Sequence, residues 1–183
     1  KVCAESPQGM LRSTQTIQMF SRLPGAPGQP SPLLQYFSVL LEKGKLNKVE
    51  SLELSRPVLQ QGRKELLQNW LKEEKLDCSE ELGDLVRPYD PNLALSIYYL
   101  ADSKDKVVQC LADSGQYERI LLYAEKTGYS PDFMYILNGL VQTNPQGAAN
   151  FAAKLLSGPQ ASKIDVNQVR SASYLSLSHR ELY

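Results

Sequence analysis

An all-α fold of the α-solenoid class, a superhelix of short antiparallel helix hairpins, is what this chain predicts, and three observations carry that reading. Proline-led helix starts recur at Asp90-Pro91, Ser130-Pro131 and Asn144-Pro145. Apolar residues fall on single faces at helical spacing between those starts. Glycines stand where the stripes stop, as Gly44, Gly115 and Gly128 do. Each unit is then one helix of about three turns followed by a tight turn. Such a helix cannot stand alone in water and must bury its stripe on a neighbour. Tight turns favour packing onto the next helix in sequence, which is the logic of a solenoid, with a compact helical bundle as the alternative.

The first well-marked element is SPLLQYFSVLLEKG, residues 31–44. Ser31 suits the cap and Pro32 the first helical position. Leu33, Leu34, Phe37, Leu40 and Leu41 form the expected inward face, and Gly44 the expected left-handed stop. Asn47 with Glu50 reads as a capping box ahead of Leu52 and Leu54. Pro57 is expected to break that helix and Gly62 to interrupt the next stretch. Residues 63–74 follow, with Leu66, Leu67, Trp70 and Leu71 on one face. Ser79 opens a short helix carrying Leu82, Leu85 and Val86.

From Asp90 the rhythm is regular, with starts near 90, 104, 116, 130 and 144. The inward stripes are Val107, Val108 and Leu111; Tyr117, Ile120, Leu121 and Ala124; and Phe133, Ile136, Leu137 and Leu140. Two regions depart from the pattern. LPGAPGQPSP, residues 23–32, reads as an extended loop that sets an N-terminal helix (about residues 14–23) apart from the main array. The serine-rich residues 159–183 carry no clear stripe and are expected to be only partly ordered. The expected division is therefore residues 1–30, 31–158 and 159–183. A cut solenoid exposes its end faces, so Phe151, Leu155 and Leu156 are expected to be sticky or frayed unless the tail folds over them.

Composition narrows the function. The 183 residues carry 20 basic and 20 acidic side chains, for a formal net charge of zero. A neutral chain is a poor match to nucleic acid or to an anionic membrane surface. No apolar run approaches the roughly 20 residues needed to span a bilayer. The chain begins with Lys1 and shows no signal peptide, so it reads as a piece of something longer. Cys3, Cys78 and Cys110 are few, odd in number and far apart, which points to a reducing, cytosolic setting. Cys110 lies among Val107, Val108 and Leu111 and reads as a small buried hydrophobe.

Catalytic, cofactor-binding and metal-ligating residues are expected to be absent, and with them enzymatic activity. His179 is the one histidine, and a nucleophile needs a base beside it. Zinc-type Cys/His spacing is missing, and EKGK around Gly44 lacks the second glycine and strand of a phosphate loop. Glu73-Glu74 and Glu80-Glu81 read as solvated helix faces or helix starts, in preference to paired acid/base carboxylates. Tyr98, Tyr99, Tyr117 and Tyr123 could line a groove, but helix packing is the favoured use. Trp70 reads as core and not as a docking anchor. Arg56, Arg63 and Lys64 read as a solvated turn more readily than as a seat for an acidic segment.

Residues 31–86 closely resemble the clathrin heavy chain, through SPLLQYF, SLEL, RPVLQQGRK, WLKE and CSEELGDLV. The resemblance continues through DPNLALSIYYLA, KVVQCLADSGQ and ILLYAEKTGYSPDFMYIL, and reaches back to PQGMLRSTQTIQMF. It covers residues 1–157, is weaker at IDVNQV and stops after Val169, where RSASYLSLSHRELY replaces the further apolar helix expected of the family. The likeness implies the linker joining an N-terminal β-propeller to the leg, and the start of the distal leg or ankle. It implies a structural role in vesicle coats and endocytosis, on the cytoplasmic face of coated pits and vesicles. Implied partners are other heavy chains in a lattice, adaptors indirectly and the membrane only through them. Adaptor-peptide binding would belong to the propeller, and light-chain binding and trimerisation to the rest of the leg and hub. Two other readings were weighed against it: a peptide-binding helical-repeat adaptor, marked by a long unbroken groove, and an all-α enzyme, marked by converging titratable groups.

Overall fold

The computed structural model describes residues 11–24, 31–158, 161, 167 and 169. Among them are ten α-helices: α1 (Thr14–Arg22), α2 (Pro32–Lys43), α3 (Lys48–Gln60), α4 (Lys64–Lys72), α5 (Glu80–Val86), α6 (Pro91–Leu100), α7 (Lys104–Asp113), α8 (Tyr117–Thr127), α9 (Phe133–Thr143) and α10 (Pro145–Ser157). The fold is all-α, of the helical-repeat solenoid class. It forms two compact units, Lys1–Lys106 and Val107–Tyr183.

In the first unit, α1 packs on α2 and α3, α4 on α3, and α5 on both α3 and α6. Ser31, Asn47, Ser79 and Asp90 cap their helices through side-chain oxygens, each satisfying backbone N–H groups that a helix start leaves open. The capping box is complete. Asn47 Oδ1 accepts from the Glu50 N–H at 2.9 Å, and the Glu50 carboxylate accepts from the Asn47 N–H at 3.0 Å. Turn residues 75–79 are tied back to α3, because Ser51 Oγ accepts from the Asp77 N–H at 2.9 Å.

Several expectations needed correction. Pro57 does not break α3, which runs through it to Gln60. Pro57 sits in the last turn, where its missing N–H costs a single ladder bond, and the following Val58 and Leu59 are buried. Gly44 does end α2, but at φ 154° and ψ −147°, a region open to glycine and not the left-handed helical one. The inward face of α2 is Tyr36, Phe37 and Leu40, while Leu34 is exposed. On α4 only Leu67 is fully buried, and Leu66, Trp70 and Leu71 are half-buried.

In the second unit α10 packs on α9 and α8. Val107, Val108, Cys110 and Leu111 of α7, Ile120 and Ala124 of α8, and Phe133, Leu137 and Leu140 of α9 are buried, while Leu121 and Ile136 of the expected stripes are half-buried. Gly115 and Gly128 take positive φ, 68° and 67°, at the turns after α7 and α8. The cap of α9 is Asp132, which accepts from the Tyr135 N–H at 2.9 Å, and not Ser130. A proline two residues before the helix leaves Asp132 as the side chain within reach of the open N–H groups.

Phe151 and Leu155 are buried, and Leu156 is half-buried. The Phe151 ring meets Tyr117 and Phe133 at centroid distances of 5.9 and 6.5 Å. Val169 is also buried. Residues 25–30 of the loop expected at 23–32 and nearly all of the expected tail at 159–183 lie outside the described residues, as do Cys3 and His179.

Candidate functional site

Three polar constellations and one recess stand out. The first surrounds Glu50, which is fully buried at the third position of α3. Arg12 reaches it from the segment before α1. Its Nε donates to Oε1 at 2.9 Å, and its Nη2 donates to Oε2 of the carboxylate and to the Lys45 carbonyl. Tyr36 Oη adds a third donor at 3.2 Å. The hydrogen bond to Glu50 holds the Arg12 guanidinium pKa above its usual value against the opposing pull of burial. A buried carboxylate is tolerable only when paired and hydrogen-bonded, and here it is both.

The second joins α5, α6 and the start of α7. Tyr98 Oη donates to Asp84 at 2.7 Å, and Lys106 Nζ sits 2.9 Å from both Asp84 oxygens and 3.6 Å from Glu80. Burial pushes the Asp84 carboxyl up, but the bonds from Tyr98 and Lys106 outweigh it and hold the pKa below the carboxylate range. Tyr98 fits here because residue 83 is glycine. A Cβ at Gly83 would lie 2.9 Å from Tyr98 Cζ and closer still to two other ring carbons. The third pairs Lys64 with Asp90 at 2.9 Å. Backbone N–H donation from Leu93, then Lys64, lowers the Asp90 pKa.

The recess, about 420 Å³, lies on the second unit between the N-terminal ends of α8 and α10. Tyr117 and Phe151 supply its apolar lining, and Gln116, Arg119, Asn150 and Lys154 its polar rim. Lys154 pairs with Glu118, and Arg119 donates to the Gln116 side chain. Sequence reasoning missed this recess. Tyr117 and Phe151 carry stripe signals on their own helices, but nothing local says that 34 positions of chain bring them together.

The residues weighed as chemical candidates do not converge. Glu73, Glu74, Glu80 and Glu81 are exposed. Glu73 pairs with Lys75, and Glu81 accepts from its own backbone N–H and from Ser79, which lowers its pKa. Arg56 pairs with Glu53 on its own helix, and Lys64 is taken by Asp90. Tyr98 is fully buried while its neighbour Tyr99 is exposed, a departure from the packing role expected of both. Tyr117 and Tyr123 are half-buried. Cys110 is buried as expected, and burial raises the thiol pKa of half-buried Cys78, away from reactivity. Among the described residues no three His, Cys, Asp or Glu side chains gather as metal ligands. No described helix is long and apolar enough to cross a membrane.

The geometry is that of an all-α helical-repeat fold in which Glu50, Asp84 and Asp90 each accept from a basic side chain on another segment. Comparison with known proteins makes it specific. Residues 1–40 match the Clathrin-H-link family model. The chain is 57% identical over 169 residues to the clathrin heavy chain of Dictyostelium discoideum, covering 92% of this chain and 10% of that one. It is 54% identical over 156 residues to clathrin heavy chain 2 of Homo sapiens, covering 85% and 10%, and 48% identical over 169 residues to clathrin heavy chain 1 of Arabidopsis thaliana, covering 92% and 10%. The chain belongs to the clathrin heavy-chain family, and it spans about 10% of the length of the curated relatives it matches.

Proposed function

We propose that this chain is the linker-and-ankle segment of a clathrin coat scaffold, a stiff helical spacer between an N-terminal propeller and the leg. The observation that carries the reading is the match of residues 1–40 to the link model, continued by heavy-chain identity across nine-tenths of the chain. The proposed division is residues 1–30 as N-terminal helix and loop, 31–158 as helical repeats and 159–183 as a divergent tail. The work is mechanical and not catalytic. Within each unit helices pack on one another, α5 on α3 and α6, and α10 on α8 and α9, so bending those joints costs buried contacts. In a lattice, many weak contacts between heavy chains sum by multivalency. Adaptors and membrane are reached through the rest of the coat, at the cytoplasmic face of coated pits and vesicles, in endocytosis and intracellular transport.

A chimera tests this. Residues 31–158 replace the matching stretch of the Dictyostelium heavy chain, and coat assembly is followed by sedimentation and electron microscopy. Coats of normal yield and diameter are expected, while a Gly/Ser replacement of the same length should give few closed coats. Normal coats from the Gly/Ser chain would overturn the rigid-spacer reading. The peptide-binding adaptor reading is favoured by one observation, the recess between Tyr117 and Phe151. Normal coat yield from an Arg119→Ala, Tyr117→Ala chimera that folds would count against that alternative.

A further inference from the structure

The one fully buried carboxylate among the described residues, Glu50, takes its countercharge from outside its own helix. Arg12 belongs to the segment that leads into α1, and it is anchored at both ends. Its guanidinium grips Glu50 and the Lys45 carbonyl, and its own carbonyl accepts from Asn47 Nδ2 at 3.2 Å. Beyond this clasp α1 packs on α2 and α3. The helix has nine residues, and Ile17 alone among them is fully buried. Phe20 stacks on Tyr36 at 4.9 Å, the same Tyr36 whose hydroxyl donates to Glu50. The remaining bonds of Glu50, to the Asn47 N–H and Tyr36 Oη, come from α3's own cap and from α2.

We propose that residues 11–22 form a releasable strap. The Arg12–Glu50 clasp fastens it over an acidic-aromatic seat made by Glu50 and Tyr36, and it opens as a unit while α3 to α6 stay folded. Local opening below the global unfolding free energy is expected where buried apolar contacts are few. Here one ion pair decides how often that happens.

Segment-resolved hydrogen exchange on the full chain tests this. In the unchanged protein, amides of α1 should exchange through an opening that leaves α3 and α5 protected. Arg12→Ala and Glu50→Gln should each raise exchange in α1 by on the order of ten- to a hundredfold, the range expected for a charged hydrogen bond, with α5 unchanged. Arg12→Lys, which keeps the charge and loses the bidentate grip, should fall between and guards against a variant that fails to fold. Equal loss of protection in α3 and α5 would make Glu50 a general fold determinant and overturn the strap. Unchanged exchange in α1 would overturn the clasp.

Discussion

The two compact units solve the same packing problem with different chemistry. Among the described residues, all four buried polar or charged side chains (Glu50, Ser51, Ser55 and Ser79) lie in the first unit. There, helices are keyed to one another by directional bonds: Arg12 to Glu50, Ser51 to Asp77, Lys64 to Asp90, and Tyr98 with Lys106 to Asp84. The second unit instead fills its interior with apolar residues, mostly aliphatic. Ala148, Ala152 and Leu155 of α10 are buried, with the Phe151 ring between Tyr117 and Phe133. Its Lys154–Glu118 pair joins two exposed side chains. Directional bonds fix register between helices, and their loss leaves an unpaired buried group. Apolar packing is more tolerant of exchange and is damaged chiefly by lost volume.

Four experiments test that contrast. The largest effect is expected at Leu137, which is fully buried in the second unit. Leu137→Ala should cost about 2 to 5 kcal/mol in chemical denaturation, as transfer and cavity terms add. A near-zero change would show that apolar filling does not hold this unit. Next is Gly83→Ala in the first unit, expected to cost about 1 to 3 kcal/mol by overpacking against Tyr98. The cost should shrink when Tyr98 is also made Leu, because the two sites touch. Independent, additive effects would mean that Tyr98 is not what keeps residue 83 a glycine.

Smaller again is the effect of acid. The Asp84 and Asp90 carboxyls have pKa values below the ordinary range in the folded chain. A depressed folded pKa contributes stability that is full above the unfolded value of about 4 and is lost as pH falls through the folded one. Exchange in α5 and α6 should therefore rise selectively as pH drops below about 4, after correction for intrinsic rates. Asp84→Asn with Asp90→Asn should flatten that response, and an unchanged response in the double variant would remove these groups from the account. The smallest effect is expected from Lys154→Ala, within about 0.5 kcal/mol for a solvent-screened pair. A loss several times larger would show that charge, too, holds the second unit.

The start of each helix was largely written in the local sequence. Ser31, Asn47, Ser79, Asp90 and Asn144 all act as caps where cap residues were read, because capping needs only a side-chain oxygen two or three residues from an open N–H. The glycine stops at Gly115 and Gly128 follow for the same reason, since backbone sterics act within a single residue. Reading was weaker where the outcome rests on partners distant in the chain. Pro57 breaks an isolated helix, yet buried Val58 and Leu59 carry α3 past it. Tyr36 replaces Leu34 on the inward face of α2, because Phe20 and Glu50 meet it there.

Family membership, the all-α class and most helix starts were thus set by the sequence itself, in cap residues, stripe spacing and long strings of identity. The buried clasp at Glu50, the Gly83–Tyr98 contact and the recess between Tyr117 and Phe151 were not. Each joins residues at least 14 positions apart. Neither propensity nor periodicity carries information over that span. Which side chain meets which is settled only when the helices are stacked and their buried charges must find partners.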